Sequence, residues 1–224
     1  MIIRSNLAIT LDGKIARAGG KYQALGSPND RNEMQRLRAL SDVVIIGAST
    51  LRQHKQACLK NVPGADKPKT VLSHSFCNAV ISRQLENISV NWPFFKAPNL
   101  RRILFVTTNE LTKAQEKLFA KTSEIVVLKK SSRTSAAEQM IKYLESAGFS
   151  RLLVEGGGEL MWDFVSHNLI DEYHVTLTPK LLGGKLSPTL VEGTGFTFKQ
   201  MLSLDLTQVR QVNSELFLTY RKRS

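Results

Sequence analysis

The chain has 224 residues, 42% hydrophobic and 22% charged, which is ordinary for a globular protein and long enough for one large α/β domain or two small ones. No apolar run approaches the ~20 residues of a membrane-spanning helix, the opening MIIRSNLAITLDG lacks the basic-then-apolar order of a secretory signal, and two cysteines, Cys58 and Cys77, are too few for a structural zinc site or a disulfide framework. A net charge of +12 points to an anionic substrate or partner, and a reducing cytoplasm is the simplest setting.

Apolar runs of strand length alternate with helical periodicity along most of the chain. IIRSNLAIT (2–10) reads as the first strand, and DVVIIG (42–47) as a β-branched strand buried on both faces. TVLS (70–73), RILFVTT (102–108), EIVVL (124–128) and RLLVEG (151–156) repeat that pattern, with helical spacing over 28–40, 112–121, 134–147 and 158–168. Alternation of this kind predicts a mostly parallel sheet with helices on both faces. The end differs: 172–179, 202–212 and 215–222 are strands with no helices between them, expected to form an antiparallel edge whose last pair turns near Asn213-Ser214. The segments 53–69 and 91–99 read as surface loops from their breakers, and no boundary divides the chain, so residues 1–224 are expected to be a single domain.

Three strand-to-helix turns carry chemical signal. In Val154-Glu155-Gly156-Gly157-Gly158-Glu159-Leu160 three glycines let the backbone approach a ligand, and the unpaired N–H groups of a helix start point at it, as a bound diphosphate requires. A tight turn chosen for geometry alone is the plain alternative. Ile46-Gly47-Ala48-Ser49-Thr50 is a second such turn, with Ser49 or Thr50 able to cap the next helix; at the same sheet end the two would flank one crevice. In Gly26-Ser27-Pro28-Asn29-Asp30-Arg31, Ser27 reads as the N-cap, Pro28 as the first helical residue and Asp30 as the third member of a capping box. Arg31 and Arg38, seven residues apart on one helix face, could add a place for a substrate phosphate.

Other chemistries lack their parts. The four histidines are isolated, no H-E-x-x-H or deaminase zinc motif occurs, and G-x-S-x-G is absent. The basic residues are scattered and carry no RNA-binding signature. Neither metal, nucleic acid nor membrane is expected. Leu11-Asp12-Gly13-Lys14 could be a solvated turn or a charged site beside the first strand.

With these motifs in hand, the LAITLDGKIA strand, LRALSDVVIIGAST, and LLVEGGGEL followed by LIDEYHVTLTPKLLGG resemble, from Ile3 to Gly184, the reductase domain of the bifunctional riboflavin-biosynthesis deaminase/reductase and its stand-alone relatives. The resemblance implies a dihydrofolate-reductase-like α/β fold, NADPH as cofactor, and reduction of the ribosylamino group of a pyrimidine ribose 5-phosphate to ribitylamino, as in a 5-amino-6-(5-phosphoribosylamino)uracil reductase. It implies Lys14 and Glu155 as catalytic, Asp12, Ser27, Arg31 and Arg38 on the substrate side, and Ala8, Gly47, Ser49, Thr50, Ser73, Thr107 and Gly156, Gly157, Gly158, Glu159 and Leu160 around the cofactor. The segment after Thr50 departs from the family. Where its members read D-[DN]-P-x-L-T-x-R, this chain has Leu51-Arg52-Gln53-His54-Lys55-Gln56-Ala57-Cys58-Leu59-Lys60, with His54 or Lys55 in place of the acid. Another small substrate on the same scaffold, or a non-catalytic nucleotide- or nucleic-acid-binding protein, are the competing readings. The alternating late strands, together with the family's habit of dimerising, predict a homodimer through the antiparallel edge.

Overall fold

The computed structural model describes residues 1–19, 23–60, 76–107 and 111–223. Among them, strands β1 (Ile2–Ile9), β2 (Val43–Gly47), β3 (Cys77–Ser82), β4 (Arg101–Val106), β5 (Glu124–Val127), β6 (Arg151–Val154), β7 (Glu172–Leu177), β8 (Leu204–Val212) and β9 (Glu215–Lys222) form one sheet in the order β5-β4-β3-β2-β6-β1-β7-β9-β8. Helices α1 (Pro28–Ala39), α2 (Ala48–His54), α3 (Pro93–Lys96), α4 (Lys113–Phe119), α5 (Ala136–Ser146) and α6 (Gly158–Ser166) cover it.

Alternation along the inner strands feeds two cores. Val43 and Ile45 of β2 and Leu152 and Val154 of β6 face α5 and α6, where Met140, Leu144, Met161 and Phe164 are fully buried. Val44, Ile46 and Leu153 face the other way, onto Leu37 of α1, Leu51 of α2, Phe94 of α3 and Phe119 of α4. A strand buried on both faces must be apolar throughout, which is why DVVIIG carries no polar alternation. Helices α4 and α5 begin with complete capping boxes, Thr112 with Gln115 and Ser135 with Glu138.

Three expectations are corrected. First, β7 belongs to the antiparallel edge on one side only: it pairs antiparallel with β9, and on its other side parallel with β1, from Arg4 opposite Glu172 to Ile9 opposite Leu177. It follows α6, and a strand delivered by a crossover helix arrives parallel. The antiparallel pairs are β7 with β9 and β9 with β8, and the β8–β9 hairpin is closed by a two-residue turn at Asn213, φ 54°, as read from the sequence. Second, the strand beside β2 is Cys77–Ser82, a stretch given no element above; TVLS, with Ser73 and His74, lies outside the described residues. Its interior Asn78 hides the strand signal. The side chain is buried because it receives the Cys58 amide at 2.7 Å and donates to the Cys58 carbonyl at 3.0 Å. Third, Asp30 does not close a capping box. Ser27 accepts from the Asn29 amide at 3.0 Å, while its hydroxyl and amide donate to buried Glu215 at 2.5 and 2.9 Å. A one-turn helix, α3, also interrupts the loop expected over 91–99.

Candidate active-site cleft

Strand order reverses around β2 and β6, and the carboxyl ends of α/β strands at such a point are where ligands bind. A cleft of about 1640 Å³ opens there. Its floor is two glycine turns locked side by side: the Gly47 amide donates to the Gly156 carbonyl at 3.4 Å, and the Glu155 amide to the Ile45 carbonyl at 2.9 Å.

These turns differ from the starts of α1, α4 and α5. Helices α2 and α6 begin on Gly47 and Gly157 with no side-chain cap, whereas α1, α4 and α5 are capped by Ser27, Thr112 and Ser135. The first amides of a helix have no intrahelical partner, so an uncapped start facing a cleft offers donors to an anion. Gly156 and Gly157 sit at φ 86° and 91°, conformations that favour glycine. A Cβ on Gly157 would stand 4.0 Å from both Thr50 Oγ1 and Leu160 Cβ, so it clashes with no protein atom and would occupy the slot between the two turns. Gly158 is small for another reason. A Cβ there would lie 2.3 Å from Glu192 Cγ and 2.8 Å from the Thr189 carbonyl, so the 188–192 loop packs onto it.

On the α1 side, Arg38 and Glu155 form a bidentate pair, Nε to Oε1 and Nη2 to Oε2 both at 2.6 Å, with side chains about a tenth exposed. The Glu155 carboxyl also hydrogen-bonds the Cys58 thiol, which burial pushes up to about 12 and so keeps unreactive. His54, at the end of α2, faces the same pair; burial and then the Arg38 charge hold its pKa below the ordinary value.

The cleft lining thus includes Ala8, Gly47, Ser49, Thr50, Thr107, Glu155, Arg31, Arg38 and the whole run Gly156–Leu160. Three sequence candidates are not among its lining residues. The Asp12 carboxylate accepts from the Thr10 hydroxyl at 2.7 Å and from the amides of Leu182 and Gly183 at 3.0 and 2.6 Å, which pull its pKa down to about 2. That is a clamp between the Leu-Asp-Gly-Lys turn and the Leu-Leu-Gly-Gly loop, and both carboxylate oxygens are committed to it. The Lys14 ammonium donates to the Ser187 carbonyl at 3.0 Å. Ser27 is held by Glu215. Arg38, read as a spare cation for a phosphate, is instead neutralised by Glu155.

Two charged residues of the lining that sequence reasoning did not assign to the site stand out. Arg83 follows β3 at its carboxyl end, in the strand that was not recognised. Asp30 was absorbed into a helix cap; the signal was Gly26, where a Cβ would fall 2.0 Å from Asp30 Oδ2, so the glycine makes room for that carboxyl. The net positive charge is not concentrated here: among the described residues, five arginines line the cleft against six Asp or Glu.

Comparison with known proteins agrees with this architecture. The family model described as the RibD C-terminal domain matches residues 1–218. The chain is 27% identical over 204 residues to the 2,5-diamino-6-ribosylamino-4(3H)-pyrimidinone 5′-phosphate reductase of Archaeoglobus fulgidus, covering 87% of each chain. It superposes with a TM-score of 0.77 on a pyrimidine reductase-like protein of Corynebacterium diphtheriae, at 16% identity, over 100% of this chain and 92% of that one. A dihydrofolate reductase of Enterococcus faecalis complexed with NADP(H) aligns at a TM-score of 0.51 and 12% identity, covering 100% of this chain and 97% of that one. The fold is therefore dihydrofolate-reductase-like, and no helix among the described residues is long and apolar enough to cross a membrane.

Proposed function

Because the chain belongs to the RibD C-terminal domain family, we propose that it is an NADPH-dependent reductase that converts the ribosylamino group of a pyrimidine ribose 5-phosphate to ribitylamino. The observation that carries this reading is the pair of uncapped, glycine-started helices on one cleft floor, a cradle for a diphosphate with a slot that a single Cβ would fill. Bound there, NADPH would supply a hydride to C1′ of the open-chain imine, and a proton would go to the imine nitrogen, leaving a CH₂–NH linkage.

This chain's own residues bind and orient. Gly47, Ser49, Thr50 and Gly156–Leu160 hold the diphosphate, with Ala8 and Thr107 on the walls. The Arg31 side chain lines the cleft from α1 and makes no hydrogen bond among the described residues, so it is a cation available to the substrate phosphate. Glu155 presents its carboxylate at the cleft with its orientation fixed by Arg38. Lys14 acts by positioning the 187–189 loop through the Ser187 carbonyl and the bridge to Thr189. A second reading, another small substrate on the same cofactor scaffold, is favoured by His54 standing beside the Arg38–Glu155 pair in place of the family's acid. The test is turnover of the phosphoribosylamino-pyrimidine under NADPH; cofactor binding without turnover selects the second reading.

Cofactor preference follows from the β3 exit. Arg83 and Arg52 line the cleft there, and Arg52 is oriented by the Glu86 carbonyl at 3.1 Å. A 2′-phosphate would gain charge-assisted bonds of ~1.5–3 kcal/mol, so kcat/KM is expected to favour NADPH over NADH by roughly ten- to a hundredfold. Equal values for the two cofactors would refute this.

The enzyme is also proposed to work as a cytoplasmic homodimer. Both cysteines are buried and unpaired, as suits a reducing compartment. Strand β8 is an open edge with Leu206 and Val209 half exposed, at 51% and 54%. Open edges of this kind are normally covered or blunted. Light scattering at micromolar concentration should give twice the chain mass, and Leu206→Lys should reduce it to one.

A further inference from the structure

We propose that the protein carries a second anion site, outside the cleft. Between α1 and the amino ends of β1 and β7, Arg4, Arg36, Arg210 and Arg221 bind a phosphate dianion, with His174 at the base. The site goes beyond the reductase reading and does not depend on it.

Strand register assembles it. Arg4 of β1 stands opposite Glu172 of β7, and Glu172 stands opposite Arg221 of β9. Two residues on, and so on the same face, His174 lies between Asn6 and Thr219. Helix α1 brings Glu33 and Arg36 to this face, and Arg210 of β8 reaches Glu33 across the Phe217 ring. The layer is polar because α1 supplies little else: it buries Leu37 and Arg38, and Leu37 serves the core around β2. Arg4 precedes the cleft-lining Ala8 by four residues, about 13 Å along the strand. The site is thus separate from the cleft.

Its charges do not balance. Glu172 accepts from Arg4 Nε at 2.8 Å and from Arg221 Nη2 at 2.7 Å. Glu33 accepts from Arg36 Nη2 at 2.6 Å and from Arg210 Nη2 at 3.2 Å. All belong to one cluster, since Arg36 also feels Glu172, and His174 feels both carboxylates. Four guanidiniums against two carboxylates leave two positive charges over, which one phosphate dianion neutralises. Fastening a helix to a sheet needs only one arginine for each carboxylate.

Donors are left over as well. Both terminal nitrogens of Arg4, and Nη1 of Arg36 and of Arg221, make no hydrogen bond among the described residues. His174 is 8% exposed, and its buried Nε2 has no hydrogen-bond partner; Glu172 Oε2, at 3.5 Å, is too far to satisfy it. Orphaned buried nitrogens are rare, and guanidinium forks match the oxygens of a phosphate. Burial holds the pKa of His174 below its ordinary value, Glu172 and Glu33 oppose that, and Arg36 adds to it. A dianion beside the ring favours the imidazolium, so binding should move this pKa up.

The experiment titrates inorganic phosphate and, separately, ribose 5-phosphate into the Arg31→Ala chain, which lacks the cleft cation. Calorimetry gives the Kd, and NMR follows the His174 ring against pH. One phosphate should bind per chain and raise the His174 pKa. Arg4→Gln and Arg221→Gln should each weaken the Kd by about tenfold or more. Arg221 is 62% exposed, so its variant serves if Arg4→Gln fails to fold. Binding of inorganic phosphate alone makes the ligand free phosphate, and binding of both probes makes it a phosphate monoester. Binding of neither, binding that Arg221→Gln leaves unchanged, or a His174 pKa that phosphate does not move overturns the assignment.

Discussion

Gly157→Val is expected to weaken NADPH binding by more than a hundredfold and leave the chain folded. The argument is geometric. Gly157 stands at φ 91°, ψ 119° as the N-cap of α6, and its missing Cβ points into the slot bounded by Thr50 Oγ1 and Leu160 Cβ, each 4.0 Å away. No protein atom needs that space. A valine there fills it and pushes the diphosphate off the amides that begin α6. The backbone strain of an L-residue at this φ, ~1–3 kcal/mol, lowers the melting temperature by a few degrees without unfolding a domain of this size. Gly158→Ala, one residue on, gives the opposite pattern. Its Cβ would overlap Glu192 and the Thr189 carbonyl, so it disrupts the 188–192 loop and lowers stability more than affinity. Isothermal titration with NADPH alongside thermal melts separates the two. If Gly157→Val binds NADPH as tightly as the parent, the glycine run is a structural turn and the cofactor lies elsewhere.

The contrast between these neighbouring glycines marks what a sequence can carry. That Gly156-Gly157-Gly158 sits where a buried strand meets a helix was legible, because the β-branched period ends and helical spacing begins there. Which glycine serves a ligand and which serves packing was not, because the answer depends on a loop some thirty residues later folding back onto Gly158. The same holds on the α1 side. Arg31 and Arg38 were correctly placed on one face, since seven residues make two helical turns. The partner of Arg38 comes from 117 residues away, and no local pattern signals it. Local chemistry also misled where two uses of a residue look alike: Asp30 three positions after Ser27 has the spacing of a capping box, yet Ser27 is engaged by Glu215 from the last hairpin. Strand β3 was lost because a buried asparagine broke the apolar run, and its reason, the Cys58 backbone, is again distant in sequence. Periodicity therefore gave the layers and the cleft floor, while the pairing of charges on the cleft wall emerged only from the tertiary arrangement.

That charge pairing leads to the second large effect. Arg38 and Glu155 form a bidentate pair with side chains about a tenth exposed, and Arg38 Nη1 also reaches the Leu59 carbonyl at 3.4 Å. Removing one partner leaves the other desolvated and uncompensated, so Arg38→Ala is expected to cost ~3–5 kcal/mol of stability, a drop in melting temperature of roughly 6–20 °C at the usual 2–4 °C per kcal/mol. Glu155→Gln should cost less, because it keeps the volume and one acceptor for Arg38. Neither single variant separates structure from catalysis, since each disturbs both. The double variant Arg38→Met with Glu155→Leu does. Replacing a buried ion pair by apolar groups of similar volume is often neutral for stability, so the double variant is expected to recover most of the melting temperature lost by Arg38→Ala and to bind NADPH like the parent. Its turnover should nonetheless fall by about 10²–10⁴, the range expected when a positioned acid–base group is removed. Recovered stability with lost turnover makes Glu155 a catalytic group held by Arg38. Recovered stability with parental turnover would make the pair a structural link between α1 and β6, and the reacting proton would then have to come from another residue of the cleft wall, such as His54, whose ring feels the charges of both members of the pair.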